Sequence, residues 1–401
     1  QPREMPGVDD LDAAVRQALA NPVGSPGLSK LAQPGSKVVI VVDDITRPVP
    51  STELLVQIVD ELNDAGISDD DITVLVALGL HRKMTTEELN DVLGPLAGRI
   101  NIVNHDPNEN LEHLGITKLG TDIHINKTFL DADLKILTGD VEVHQFCGYG
   151  GGAKSIHPGL ADSNSVCLTH SRMEAEGAGP GRIDGNPIRE DIDEVGRMTG
   201  ADFVVNVVLN PYKEAVGVFC GDVDKAFREG TKVCDDIYKV EVPERADVVL
   251  ASAGGYPKDI ELYQAQKAVQ SAVRMVKKGG KIILLAECRE GHGSDLAYQW
   301  AREADTPDVI CARIKEKFVM GGHKAYQLAL AAKWADVYLL SSLEDEVVKE
   351  FFFTPVSDAA GVKNLIDADD KVAVLPQASL TLASISGEPE QPGFGLPVLP
   401  E

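Results

Sequence analysis

The chain has no Cys-x-x-Cys pair. Its six cysteines, at 147, 167, 220, 234, 288 and 311, are scattered, which speaks against both a structural zinc site and a disulfide framework and leaves buried free thiols as the expectation. No apolar run approaches the roughly eighteen residues of a membrane-spanning helix. The first thirty residues lack a basic-then-apolar leader pattern, so a soluble, cytoplasmic protein is expected. Basic residues are scarce as well, 38 Lys and Arg against 63 Asp and Glu, for a net charge of −25. A surface this acidic repels phosphate backbones and anionic lipid, so neither nucleic acid nor a membrane is the expected partner. A small anionic substrate would need a local basic cluster to hold it. No repeat of fixed short period is present.

What is there reads as α/β. At 401 residues and 43% hydrophobic, the chain can fill two cores. Lys37–Val42 (KVVIVV) is the continuous β-branched run of a buried parallel strand ending at Asp43-Asp44. Leu54, Leu55, Ile58, Val59 and Leu62 follow at helical spacing, closed by Gly66. A strand over 72–78 ends at Gly79-Leu80-His81 and leads to the capping box Thr85…Glu88. A third over 100–103 ends in Asn104-His105-Asp106. Further strands are expected at 134–137, 203–210, 247–251, 281–285, 337–340 and 372–375, with helices near 262–276, 323–334 and 358–366. The chain restarts near 240–245. This predicts two layered α/β domains with mainly parallel sheets, 1–243 and 244–385, and the active site in the cleft between them. The Pro/Gly-rich tail 386–401 is expected as an irregular arm that completes the first domain. Ligands of open α/β sheets bind outside the carboxyl ends of the strands, so the polar tips Asp44 with Arg47, His81, and 104–106 are expected to face one site.

Between His144 and Gly159 runs HQFCGYGGGAKSIHPG. Gly148–Ala153 matches G-x-G-x-x-A, but about seven residues separate it from the preceding strand and no acidic residue is suitably placed beyond. It is also a near miss to a P-loop, with Ala153 where the second glycine belongs. Consecutive glycines would let backbone N–H groups close around a phosphate, and Lys154 would add a point charge. A tight turn with a surface lysine explains the stretch equally well. The companions shift the balance: His144 ten residues before Lys154, His170 sixteen after it, and His81 and Arg47 at strand tips. His105 and His157 sit in turns where local hydrogen bonding accounts for them.

Five places together resemble the nickel-pincer lactate racemase family of 2-hydroxyacid racemases and epimerases. They are Asp43–Pro48 (DDITRP), Gly79–Arg82 (GLHR), His144 through Gly159, His170, and Tyr263–Lys267 (YQAQK) after Gly254-Gly255-Tyr256-Pro257. The resemblance implies a pyridinium-3,5-bisthiocarboxylate mononucleotide joined to Lys154 through a thioamide, with Ni(II) held by the cofactor and by His170 as sole protein ligand. Soft, planar donors of that kind suit square-planar nickel. It further implies that Asp44, Ile45, Thr46 and Arg47 meet the cofactor, and that the glycines approach its phosphate. His81 and His144 become the two acid/base groups, one for each face of the substrate, and Arg47, Gln264 and Lys267 hold its oxygens. The partners implied are a small 2-hydroxy acid and the enzymes that build the cofactor. Gly150 departs from the serine expected there. Two alternatives stay open: a nicotinamide-dependent dehydrogenase with exchanging cofactor, and a non-catalytic nickel or nucleotide carrier.

Overall fold

A computed structural model of the chain describes residues 1–387; the expected arm beyond that point lies outside the described residues. The contacts gather into two units. One comprises Glu4–Arg172 with Gly181–Ile237, the other Gln1–Arg3, Met173–Pro180 and the chain from Tyr238 onward.

In the first unit, six strands form one sheet in the spatial order Ala215–Gly221, Phe203–Leu209, Leu134–Asp140, Val38–Asp43, Ile72–Ala77, Asn101–Asn104. Only the Ala215–Gly221 edge runs antiparallel. Val38 to Val42 are buried on both sides of the pleat, which is why they read as an unbroken apolar run rather than an alternating one. Helix Ser51–Asp64 turns Leu54, Leu55, Ile58, Val59 and Leu62 into the same core, each worth about 1.5–3 kcal/mol when fully buried.

The order of this sheet reverses at its middle. From Val38–Asp43 the chain moves outward through Ile72–Ala77 and Asn101–Asn104, whereas from the adjacent Leu134–Asp140 it moves the other way to Phe203–Leu209. Where neighbouring strands send their connections in opposite directions, a crevice opens beyond their carboxyl ends. Those ends are Asp43 and Asp140.

The second unit has a wholly parallel sheet, ordered Thr354–Val356, Asp336–Leu340, Val276–Leu285, Ala246–Ser252, Val372–Leu375. Helices Leu262–Met275 and Gly322–Trp334 belong to it, and Lys239–Val242 pairs in parallel with Leu382–Ile385. Three features differ from the expectation. The strand starting at Leu134 runs on to Asp140, because Thr138 donates from its hydroxyl to the Val41 carbonyl and stays in the sheet. An antiparallel hairpin, Leu111–Ile116 with Asp122–Asn126, falls where polar residues and glycines hide the alternation. Val143–His144 pairs with Gly148–Tyr149, so the glycine-rich stretch begins inside a short hairpin rather than in a plain loop.

Candidate active site

Asp44, one residue past the first strand, is buried. Its Oδ2 lies 2.6 Å from His81 Nδ1, and its Oδ1 accepts from Thr46 N–H at 2.8 Å and from the Thr46 hydroxyl at 2.5 Å. Burial pushes this carboxyl up, but the bonds from His81 and Thr46 outweigh it and hold its pKa at about 2. The charged carboxylate therefore claims the Nδ1 proton of His81. A neutral ring then carries its lone pair on Nε2, the arrangement of an oriented general base. Ile45, between Asp44 and Thr46, is exposed.

The third expected tip does not join this group. Asn104 donates from Nδ2 to the Met84 carbonyl and accepts the Met84 N–H, while Asp106 pairs with Lys83 at 2.7 Å and accepts from Asn108 N–H. Both serve the chain's own turns.

At the switch point, Arg47 pairs with Glu142 through Nη1 and Oε1. Its guanidinium is held well above its ordinary value: burial opposes the charge, and Glu142, Asp140, Asp43 and Asp44 together override that. Asp43 moves the other way. Burial and the neighbouring Asp140 push its carboxyl up to about 7, with Arg47 and Lys154 opposing. Lys154 stands in the same field without a carboxylate in ion-pair contact among the described residues. Burial and the nearby Arg47 lower its pKa, which raises the share of free amine and makes it a better nucleophile.

The glycines that precede Lys154 are spent on packing. A Cβ on Gly148 (φ +83°) would stand 2.0 Å from the Arg182 carbonyl oxygen, and one on Gly152 (φ +59°) 2.8 Å from Arg189 Nη2. The Gly150 N–H donates to the Glu142 carbonyl and the Gly152 N–H to Asn206 Oδ1. The loop runs into a four-residue 3-10 turn, Gly152–Ser155, rather than a long helix. This corrects the expected phosphate cradle, because two of its N–H groups are already committed within the protein and no helix N-terminus stands behind them. The same facts disfavour a dinucleotide or P-loop reading.

His144 and His170 meet edge-on to one ring. Phe146 lies 4.5 Å from the His144 centroid and 5.0 Å from that of His170, at interplanar angles of 89° and 70°. Helix Ser163–Ser171 carries His170 in its last turn, where Nδ1 lies 2.8 Å from the Val166 carbonyl. Donation there leaves the neutral ring's lone pair on Nε2, the usual state of a metal-ligating imidazole. His144 Nδ1 accepts a long 3.4 Å bond from Cys147 N–H, so the neutral ring carries its proton on Nε2. The set offers the Nε2 lone pairs of His81 and His170 and buried acids, but among the described residues no cluster of three or more His, Cys, Asp or Glu could hold a metal, so it does not make a tetrahedral zinc site. It fits a metal brought by a cofactor that supplies the other donors.

His105 and His157 are structural. His105 bonds to the Ala161 carbonyl and Asn126 Nδ2, both at 3.1 Å. His157 Nε2 lies 2.7 Å from Thr169 Oγ1, and burial lowers its pKa to about 4. Gln264 and Lys267 lie in the other unit, one turn apart at the start of helix Leu262–Met275, both partly exposed.

The chain resembles known proteins along most of its length. The Lactate racemase N-terminal domain model matches residues 1–180 and the Lactate racemase C-terminal domain model residues 242–377. The chain belongs to the lactate racemase family. A lactate racemase of Thermoanaerobacterium thermosaccharolyticum is 33% identical over 376 residues, 90% of this chain and 88% of that protein. One from Lactiplantibacillus plantarum is 35% identical over 298 residues, 73% and 70% of the two chains. The solved lactate racemase apoprotein of T. thermosaccharolyticum superposes with a TM-score of 0.87 at 31% identity, covering 95% of this chain and 96% of its own. Membership places the chain among the racemases, a class of isomerases. Glu142 and Asp140 stand beside Arg47, and Asn206 bonds the Gly152 N–H, neighbours of the candidate residues that the sequence did not single out. Asn206 carried a signal: a lone amide inside the apolar run FVVNVVL, fully buried, bonding Gly152 N–H and the Gly139 carbonyl.

Proposed function

We propose that the protein inverts C2 of a 2-hydroxy acid using a nickel-pincer nucleotide joined to Lys154. The observation that carries this reading is the grouping in one unit of an Asp44-oriented His81, a Lys154 of lowered pKa, and His144 and His170 facing one phenyl ring. The floor beneath, with Asp43, Asp44, Asp140 and Glu142 against Arg47 and Lys154, favours a cationic guest such as a pyridinium bearing nickel. His170 holds the metal through Nε2, and Asp44, Ile45, Thr46 and Arg47 line the group. When bound, that group would supply a hydride acceptor for C2.

The chain's own residues manage protons and position. A base of suitable pKa is needed at the hydroxyl oxygen for either enantiomer, which is why two imidazoles are used. His81 starts with an acceptor at Nε2 and takes the hydroxyl proton, while His144, entering the cycle as the imidazolium, hydrogen-bonds that oxygen and gives it a proton when C2 is reduced on its other face. That turnover leaves His81 charged and His144 neutral, which is the arrangement the mirror-image substrate needs. Arg47 offers its fork to the carboxylate, and Gln264 with Lys267 hold the remaining oxygens. Residues 1–243 would thus carry the cofactor. Protein made together with the cofactor-building enzymes tests the assignment. His81→Ala and His144→Ala are expected to keep nickel and lose racemisation by about 10²-fold or more, whereas His170→Ala loses nickel. Loss of nickel from the His81 variant alone would contradict the roles.

A further inference from the structure

Helices Leu262–Met275 and Gly322–Trp334 of the second unit lie side by side and run parallel. Lys324 Nζ donates to Gln266 Oε1 at 3.0 Å near their starts, and Trp334 Nε1 donates to the Val276 carbonyl at 3.2 Å beyond their ends. Both contacts join residues 58 apart. That shared register puts Gln327, one turn beyond Lys324, level with Gln270, one turn beyond Gln266.

The seam so formed is polar where helix packing is normally apolar. Lys324 is 3% exposed, Gln266 0%, Gln327 2% and Gln270 9%. No carboxylate pairs with the Lys324 ammonium among the described residues; it lies 4.9 Å over the Tyr263 ring, and burial lowers its pKa to about 7, with Glu261 opposing from farther away. Three amide nitrogens, Gln266 Nε2, Gln270 Nε2 and Gln327 Nε2, have no hydrogen-bond partner, and neither has Gln327 Oε1. Buried polar groups are nearly always bonded, and orphans of this kind mark a bound water or ion. Here the orphans are donors by three to one, and they accompany an uncompensated cation. The starts of two parallel helices, each without a side-chain cap, add positive potential at the same end. The N–H groups of Leu262 and Tyr263 are taken by the Gly291 and His292 carbonyls, so side chains, not backbone, supply the donors.

We propose that Lys324, Gln266, Gln270 and Gln327 form a buried site for a small monovalent anion of halide or carboxylate type. A bound anion neutralises the ammonium and satisfies amides that otherwise pay for desolvation without a bond.

Thermal unfolding of the full, cofactor-free chain tests this at constant ionic strength, replacing sodium gluconate, too large for the seam, by chloride in one series and acetate in another. The second unit's midpoint is expected to rise by about 2 °C or more in at least one series, and the responding series identifies the anion class. The rise is expected to vanish in Lys324→Met. Gln327→Leu guards against failure of that variant to fold: it removes two orphan atoms, so it should be as stable as wild type in gluconate yet lose the response. Bromide soaked into crystals should give an anomalous peak within hydrogen-bonding distance of Lys324 Nζ. Equal midpoints in all three salts, or a response preserved in both variants, would overturn the proposal. No cofactor or substrate enters this test, so its failure leaves the racemase reading untouched, and the converse holds too.

Discussion

Asp44 and Asp43 are adjacent carboxylates displaced in opposite directions, and their pH signatures separate them. Asp44 has its pKa held at about 2, below the ordinary aspartate value of about 3.9. The sign follows: its contribution to stability is present above about pH 4 and is lost as pH falls toward 2. Asp44→Asn is expected to flatten that acid limb and to lower turnover about 10²-fold through loss of the His81 orienter; urea midpoints between pH 3 and 6, beside polarimetry, check both. Asp43, raised to about 7 by burial and Asp140, holds a proton in the fold that the unfolded chain has released. Stability should therefore fall as pH rises from about 4 to 7, and Asp43→Asn should remove that decline in the same titration. At this scale the sequence was informative wherever chemistry is concentrated in short motifs: DDITRP, GLHR and the histidines about Lys154. It was silent on Glu142 and Asp140, because an acid in a chain with 63 of them carries no mark until the fold sets it beside Arg47.

The elements were legible where hydrophobic period was strong. KVVIVV and FVVNVVL are the continuous apolar runs of strands covered on both faces, and both occupy the sheet's interior. Polar insertions hid the rest: Thr138-Gly139-Asp140 extends a strand past its apolar part, and the Leu111–Ile116 hairpin alternates too weakly to be seen. The glycine loop shows the sharper lesson. Its composition suggested a seat for phosphate, yet the backbone needs those glycines because Arg182, Asp140 and Arg189 press against it. Gly148→Ala is accordingly expected to destabilise the first unit by about 3 kcal/mol or more, from the left-handed φ and the clash with a carbonyl that cannot yield. Denaturant unfolding would show it. A near-neutral result would mean that the loop is loosely held.

For the whole molecule, two mainly parallel α/β sheets were readable from alternating strand and helix patterns, whereas the exchange of Gln1–Arg3 and Met173–Pro180 into the second unit was not. Contacts between residues distant along the chain leave no local period. The central claim is chemical: a buried amine with lowered pKa is the attachment point of the cofactor on which racemisation depends. A denaturing mass spectrum of the Lys154 peptide, taken from active protein made with the cofactor-building enzymes, tests this most directly. The account predicts a covalent increment on Lys154 that disappears, together with nickel and activity, in Lys154→Ala. An unmodified Lys154 in fully active enzyme would contradict it.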